Sequence, residues 1–274
     1  MMTRPARATC TRSCERRSRC LEAGYACRLI SASVVMRQAI AVTAKAPLPG
    51  HVKTRLCGVL SVDDAAQLYR CFLKDSLALV EAIAGIEVLL SYTPVGFESH
   101  FDGIISSSHR LLAQRGDDLG DKLIHAFEDL FDEGFESAAL MNADSPTLPR
   151  RYIAQALDEL RRPGDRVVLG PAEDGGYYLV GLKRLHRRLF EQITWSSERV
   201  LAETLERARE IGLEVSLLPR WYDVDSAAEF ERLKQEMIKA TSLQDGKQNT
   251  SYDGEIALTA VNTRDFILSR WAND

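Results

Sequence analysis

From residue 38 onward, hydrophobic and polar residues follow two alternating patterns. Short continuous apolar runs predict buried strands, and longer segments with apolar residues three and four positions apart predict amphipathic helices. The first run, AIAVTA, begins at Ala39 and leads through a Pro/Gly loop into a helical pattern over residues 63–83. Asp63 or Asp64 is available to cap the start of that helix.

The same alternation continues along the rest of the chain. Further strands are predicted at residues 86–92, 110–114, 137–142, 166–170, 177–181 and 213–218, and further helices at 120–131, 149–161, 196–211 and 227–239. Apolar strands separated by helices are typical of a mostly parallel sheet with both faces covered. We therefore expect one doubly wound α/β domain, with a sheet of about seven strands, over residues 36–240.

The two ends of the chain differ from this central region. Residues 1–35 hold seven arginines, two acidic residues and four of the six cysteines, at spacings that match neither a zinc pair nor a compact disulfide scaffold. An Arg-rich, acid-poor head also resembles a transit peptide, but Met36 stands directly before the first strand. We expect translation to start at Met36 and the head to be extra, disordered chain. Residues 241–274 are interpreted as a polar linker and a tail of unknown role.

The composition narrows the functional classes. With 45% hydrophobic and 27% charged residues and a net charge of −4, the 274-residue chain is an ordinary globular protein. No apolar run approaches the ~18 residues of a membrane span, and the overall charge offers no footprint for nucleic acid. Outside the head only Cys57 and Cys71 remain, too few for a disulfide framework, so a cytoplasmic protein is expected.

Ligands of such sheets bind outside the carboxyl ends of the strands, so we expect the functional residues in the loops there. The loop AKAPLPGHVKTRL follows the first strand and contains Lys45, Lys53 and Arg55. Three cations in a loop that two prolines and a glycine make irregular suit a polyphosphate ligand. The alternative is a basic loop that simply faces water.

Two further loops carry carboxylates. Asp144 follows the predicted strand 137–142 and could hold a divalent cation together with ligand phosphates, or could cap a turn before Pro146. Asp174 precedes two glycines that allow close approach of backbone to ligand, and it could be a metal ligand, a general base or a hydroxyl acceptor. An Asp-Gly turn in a plain hairpin explains the same residues.

A pair of carboxylates follows the last strand. Asp223 and Asp225 lie two residues apart, so both would point the same way in extended chain. Asp225 or Ser226 could instead cap the following helix. A weaker candidate is the segment QRGDDLGDKL, whose aspartates could equally be favoured at a helix start by the helix dipole.

Several enzyme signatures are missing from the sequence. There is no phosphate-binding G-x-x-x-x-G-K-[ST], no dinucleotide G-x-G-x-x-G after the first strand and no zinc-binding H-E-x-x-H. A nucleophile elbow G-x-S-x-G is also absent. Zinc peptidases and α/β-hydrolases are therefore disfavoured.

The motifs occur in the order AKAPLPGHVKTRL, QRGDDLG, ADSPTLP, GPAEDGGYYLVGL, TWSSE and YDVD. Over about residues 39–233 they resemble a bacterial glycosyltransferase-like family with a nucleotide-diphospho-sugar transferase fold of the glycosyltransferase-A type. That family is similar to the nucleotidyltransferases of molybdenum-cofactor and phospholactate metabolism. The chain departs from the pattern at Asn142, where glycine is common and where the larger side chain could narrow the nucleotide pocket. The segment DVDSAAEF also departs from D-x-D-T-P-E-D-L, which weakens a role for Asp225.

The resemblance implies roles for particular residues. Nucleotide or phosphate binding would involve Lys45, Pro47, Gly50, Lys53, Thr54, Arg55, Gln114 and Ser145. Mg²⁺ or Mn²⁺ would be held by Asp144 and Asp223, and the acceptor or sugar would lie near Gly175, Gly176 and Tyr177. Asp174 would be the catalytic residue that activates the nucleophile.

Three functions fit these expectations. The first is a metal-dependent glycosyltransferase that moves a sugar from a nucleoside-diphosphate sugar to a small-molecule acceptor. The second is a nucleotidyltransferase, in which a phosphorylated acceptor attacks a nucleoside triphosphate and pyrophosphate leaves. The third is a catalytically idle nucleotide-binding module, because a fold does not guarantee activity.

Overall fold

A computed structural model describes residues 36–107, 109–244 and 260–271, with the side chains of residues 241–244 left out. The expectation of a disordered head at residues 1–35 therefore lies outside the described residues. None of the described helices is long and apolar enough to cross a lipid bilayer.

Seven strands form one sheet. They are β1 (Gln38–Lys45), β2 (Ile86–Thr93), β3 (Arg110–Ala113), β4 (Ser137–Asn142), β5 (Arg166–Pro171), β6 (Tyr177–Leu182) and β7 (Glu214–Leu217). Their order is β3-β2-β1-β4-β6-β5-β7, and only β6 runs antiparallel to its neighbours β4 and β5. The predicted seven-stranded, mostly parallel sheet is confirmed.

Within the described residues, six α-helices lie around the sheet. They are α1 (Val62–Glu81), α2 (Leu119–Asp132), α3 (Arg150–Arg161), α4 (Val200–Glu210), α5 (Ala227–Gln244) and α6 (Val261–Trp271). The cap predicted for α1 is wrong: Ser61 is the N-cap and its side chain accepts a hydrogen bond from the Asp64 amide. Helix α4 begins at Val200 rather than at residue 196, where Ser196 has a positive φ of 61° that a helix does not allow.

Both faces of the sheet are covered, which explains why its strands are continuous apolar runs. Along β1, Ile40 and Val42 lie in one core cluster with residues of α1, α3, α5 and α6. Ala39 and Ala41 lie in a second cluster with residues of α2 and α4. Because successive side chains of a strand point to opposite faces, a strand buried on both faces needs apolar residues at every position.

The last described helix, α6, is part of the first core cluster, since Phe266 and Ile267 are buried there. Its amino end is capped by a residue of another helix. The Asp75 carboxylate on α1 accepts hydrogen bonds from the amides of Asn262 and Thr263 at 2.9 and 2.8 Å, and from Asn262 Nδ2 at 2.8 Å. Burial raises the pKa of Asp75, and these hydrogen bonds oppose the rise. The carboxylate thus fastens α6 to α1.

Substituting Asp75→Ala removes this cap and leaves buried amides at the start of α6 without an acceptor. We expect a loss of about 1–3 kcal/mol in the free energy of unfolding, measured by urea denaturation, and faster amide exchange in α6. Asp132→Ala, at an exposed position at the end of α2, is the matched control. Equal losses in both variants would contradict the capping role.

Candidate functional site

A cleft of about 780 Å³ opens at the carboxyl edge of the parallel strands. Ten of the residues predicted for the site line it: Lys45, Lys53, Thr54, Arg55, Gln114, Asp144, Asp174, Gly176, Tyr177 and Asp223. Four others, Pro47, Gly50, Ser145 and Gly175, are not among its lining residues. Loops that are far apart in the sequence meet here because each follows a strand of the same sheet.

The basic residues of the first loop divide into two kinds. Lys45, at the end of β1, and Arg55 are exposed and form no ion pair within the described part of the chain. The Lys53 side chain is only 3% exposed, and its ammonium lies 2.5 Å from Asp144 Oδ1 and 2.8 Å from Asp225 Oδ1. Lys45 and Arg55 are thus available to an anionic ligand, whereas Lys53 is already paired.

The surroundings of Lys53 keep its charge in place. Its ammonium also donates to the Val224 carbonyl at 2.9 Å and lies 5.9 and 5.4 Å from the ring centroids of Tyr69 and Phe72. Burial acts to lower the pKa of Lys53, but the two carboxylates outweigh it, so the pKa is raised. Lys53 therefore stays protonated inside the protein.

Asp144 and Asp223 face the cleft with one carboxylate oxygen each held by the protein. Lys53 holds Asp144 Oδ1, while Asp223 Oδ1 accepts from Ser145 Oγ at 2.5 Å and from Asn142 Nδ2 at 3.4 Å. The side-chain Oδ1 of Asn142 in turn accepts from the Asp144 backbone amide at 3.3 Å. Asn142, the departure from the family pattern, thus contacts the carboxylate of Asp223 and the backbone of Asp144.

The two carboxylates repel each other. Burial, together with the charges of Asp144, Asp174 and Asp225, raises the pKa of Asp223 to about 7, while the hydrogen bond from Ser145 acts in the opposite direction. A buried carboxylate next to other carboxylates favours either a proton or a cation. The electrostatics at this point of the cleft therefore select for positive charge.

A divalent cation fits this donor set in part. Within residues 36–107, 109–244 and 260–271, no three His, Cys, Asp or Glu side chains form a group arranged to hold a metal ion. The second oxygens of Asp144 and Asp223 make no hydrogen bond with the described residues, and Mg²⁺ commonly takes one or two carboxylates together with substrate phosphates and waters. The pair suits an ion that brings its remaining ligands with it.

The loop between β5 and β6 contributes Asp174 and Gly176 to the lining of the cleft. β5 and β6 are antiparallel neighbours, as the hairpin interpretation expects, and Asp174 of the same loop lines the cleft. The exposed Asp174 accepts from the Gly176 amide at 2.8 Å through Oδ1. Gly175 has φ of 91°, and a Cβ there would lie 2.2 Å from the Glu198 carbonyl oxygen. Glycine is needed because this backbone packs directly against the loop before α4.

The sequence did not single out several lining residues. Lys122 on α2 and Trp195 in the loop before α4 both line the cleft, as do Tyr69 and Glu198. Helical periodicity could have placed Lys122 near the cleft, because it lies in the first turn of a helix that follows a site loop. Nothing in the spacing distinguishes Tyr69, whose hydroxyl accepts from the Lys45 amide at 3.2 Å, from an ordinary core residue of α1.

Comparisons with known proteins place the chain in a family. The sequence profile of a family described as an uncharacterized protein conserved in bacteria (DUF2064) matches residues 76–197. A crystal structure of a candidate nucleotide-diphospho-sugar transferase from Desulfovibrio desulfuricans G20 is 30% identical, with a TM-score of 0.67. The alignment covers 84% of this chain and 97% of that one.

The chain belongs to the DUF2064 family. Together with the Desulfovibrio structure, this confirms the resemblance and the expected nucleotide-diphospho-sugar transferase fold.

A more distant structure shows the fold alone. The 4-diphosphocytidyl-2C-methyl-D-erythritol synthase from Anaerococcus prevotii DSM 20548 is 11% identical, with a TM-score of 0.50 over 72% of this chain and 94% of that one. It shares the fold. No curated protein matches the sequence. The DUF2064 match includes Asp144 and Asp174 but ends before Asp223. The family match therefore covers part of the cleft and not all of it.

Asp223→Asn tests the electrostatics of the cleft. Because the pKa of Asp223 is raised from 3.8 to about 7, the folded protein binds more protons than the unfolded chain between these pH values. The stability contributed by this group is therefore present at low pH and lost as pH rises through 7.

In the presence of a chelator, we expect Asp223→Asn to raise the melting temperature by about 2–4 °C at pH 8, the equivalent of about 1 kcal/mol for a domain of this size. At pH 4 the change should be much smaller, because the carboxyl group is then neutral in the folded protein and partly protonated in the unfolded chain as well. Calorimetry at the two pH values measures the difference, with Asp132→Asn as control. The same shift at both pH values would contradict the raised pKa.

Proposed function

We propose that this protein is a transferase that uses a nucleotide-activated donor, and specifically a glycosyltransferase that moves a sugar from a nucleoside-diphosphate sugar to a small-molecule acceptor. The observation that carries the proposal is one cleft that combines unpaired cations, Lys45 and Arg55, with a pair of cation-seeking carboxylates, Asp144 and Asp223. The 30% identical Desulfovibrio protein, described as a candidate nucleotide-diphospho-sugar transferase, supports the same class.

Lys45 and Arg55 would bind the diphosphate. Arg55 can donate two parallel hydrogen bonds to a phosphate, and Lys45 acts as a point charge. Thr54, Gln114 and Ser145 would complete the nucleotide site, with Ser145 acting through its hydrogen bond to Asp223. Pro47 and Gly50 would shape the loop that carries these residues.

Mg²⁺ or Mn²⁺ would be held by the second oxygens of Asp144 and Asp223. Such an ion supplies positive charge that stabilises a leaving nucleoside diphosphate. Lys45 and Arg55 would contribute to the same stabilisation from the side of the first loop, since preorganised charges around a developing negative charge lower the barrier.

Asp174 would act as the general base. In the transfer the bond between the anomeric carbon and the phosphate oxygen breaks, the acceptor oxygen bonds to that carbon, and the acceptor proton passes to Asp174. The hydrogen bond from the Gly176 amide orients this carboxylate, and it leaves Oδ2 without a partner among the described residues. Gly175, Gly176 and Tyr177 would position the acceptor or the sugar beside it.

A nucleotidyltransferase is the second candidate, because the Anaerococcus synthase, whose name describes a diphosphocytidyl product, shares the fold over 94% of its length. In that reaction an acceptor phosphate attacks the α-phosphate of a nucleoside triphosphate and pyrophosphate leaves. Both reactions would use the same loops. An idle nucleotide-binding module would bind nucleotide without turnover.

A thermal-shift panel separates these candidates. Nucleoside diphosphates, triphosphates and nucleotide sugars are each tested with Mn²⁺, Mg²⁺ or a chelator, since a ligand that binds only the folded state raises the melting temperature. We expect a metal-dependent rise with one diphosphate and its sugar conjugate. A rise confined to one triphosphate, with pyrophosphate release from it, would support the nucleotidyltransferase instead.

The double substitution Lys45→Ala with Arg55→Ala tests the diphosphate site. We expect diphosphate affinity to fall by about 100-fold, because two charged hydrogen-bonding groups worth about 1.5–3 kcal/mol each are removed. Affinity for the free nucleoside should change little. Arg209→Ala, at an exposed position of α4, is the control, and calorimetric titration gives both affinities. Equal weakening of diphosphate and nucleoside would contradict the phosphate role.

A further inference from the structure

Lys53 is the residue of the first loop that contacts the carboxylates, and all three N–H donors of its ammonium already have acceptors. An ammonium group has three N–H donors. In this protein it has three acceptors, Asp144 Oδ1, Asp225 Oδ1 and the Val224 carbonyl, all within 2.9 Å. The side chain is 3% exposed, so no water or phosphate competes for these donors. Lys53 thus differs in kind from Lys45 and Arg55.

The backbone holds Lys53 in this position. Its φ of 49° is in the left-handed region, which is costly for a residue with a Cβ and persists where the surroundings impose it. The neighbouring residues Val52 and Leu56 are buried in the core and anchor the loop on both sides. The fold of the loop therefore fixes the position of the ammonium beside the carboxylates.

The Lys53 ammonium lies beside the carboxylate that a divalent ion would bind. Asp144 is the carboxylate that the ion and the ammonium would share, and the ammonium already lies 2.5 Å from one of its oxygens. An ion on the other oxygen would be repelled by the ammonium at a separation of a few ångströms, and the burial of the Lys53 side chain limits the screening of its charge by water.

We infer that Lys53 is a resident cation of the carboxylate cluster, which competes with a divalent ion for Asp144 and lowers the affinity of the nucleotide-free protein for that ion. The inference rests on the metal site of the proposed function. It assigns Lys53 to the carboxylates and leaves the binding of the diphosphate to Lys45 and Arg55.

The experiment is a titration of the nucleotide-free protein with Mn²⁺, followed by electron paramagnetic resonance of the free ion. Lys53→Met keeps the length of the side chain and removes its charge. We expect it to bind Mn²⁺ about tenfold or more tightly than the unsubstituted protein. Lys122→Met removes a charge from the lining of the same cleft without removing a partner of Asp144, and its Mn²⁺ affinity should stay within about twofold to threefold. Unchanged or weaker Mn²⁺ binding by Lys53→Met would overturn the inference.

A second variant guards against loss of folding in Lys53→Met, which leaves carboxylates without their counter-ion. In Asp225→Asn the ammonium keeps its charge but has only Asp144 as a charged partner, so we expect Mn²⁺ to bind several-fold more weakly than to the unsubstituted protein. Equal or tighter binding would overturn the inference, and so would an absence of Mn²⁺ binding in all the proteins at millimolar concentration. None of these outcomes involves a nucleotide, so the proposed function can fail or succeed separately in the thermal-shift panel.

Discussion

The cleft depends on one ion-pair cluster, in which the buried Lys53 ammonium lies between the partly exposed carboxylates of Asp144 and Asp225. These residues belong to three segments that are remote in the sequence: the loop after β1, the loop after β4 and the segment before α5. Burying a charge is expensive unless it is paired and hydrogen-bonded, so each segment is stable in its place only when the other two are present. A cluster of this kind contributes little net stability, but breaking it leaves uncompensated charge inside the protein.

The fold was predictable because its signals are local. Strands that are buried on both faces need unbroken apolar runs, and the helices between them show their own period. The direction of β6 was not predictable in this way, because an apolar run looks the same whichever way the strand is inserted. The start of α4 was misplaced because Ser196 has an ordinary helix-compatible side chain, whereas its φ is positive in a loop whose Glu198 packs against Gly175. Likewise, Ser61 and Asp64 satisfy the start of α1 reciprocally, and the pattern alone favoured the aspartates.

The candidate site was predictable as a set of loops but not as a set of contacts. The rule that ligands bind at the carboxyl ends of parallel strands brings the loop of Lys45 and the loop of Asp144 to one edge without any structure. The rule does not say which cation of the first loop meets a carboxylate. Lys53 and Arg55 are two residues apart in one basic run, yet one is buried in an ion pair and the other is exposed. The difference arises from the left-handed backbone at Lys53 and from the core residues beside it, which are properties of the folded loop.

The distribution of charge across the cleft follows from this pairing. Lys53 is paired with Asp144 and Asp225. The pKa of Asp223 is raised first by its burial and then by the charges of Asp144, Asp174 and Asp225. A diphosphate that entered next to Asp223 would add like charge to a buried carboxylate, which is unfavourable in a region of low dielectric constant. In the proposed function, Lys45 and Arg55 would bind the phosphates in the same cleft. The approach of such an anionic ligand to the carboxylates would then require further positive charge, which a divalent ion or a proton on Asp223 can supply.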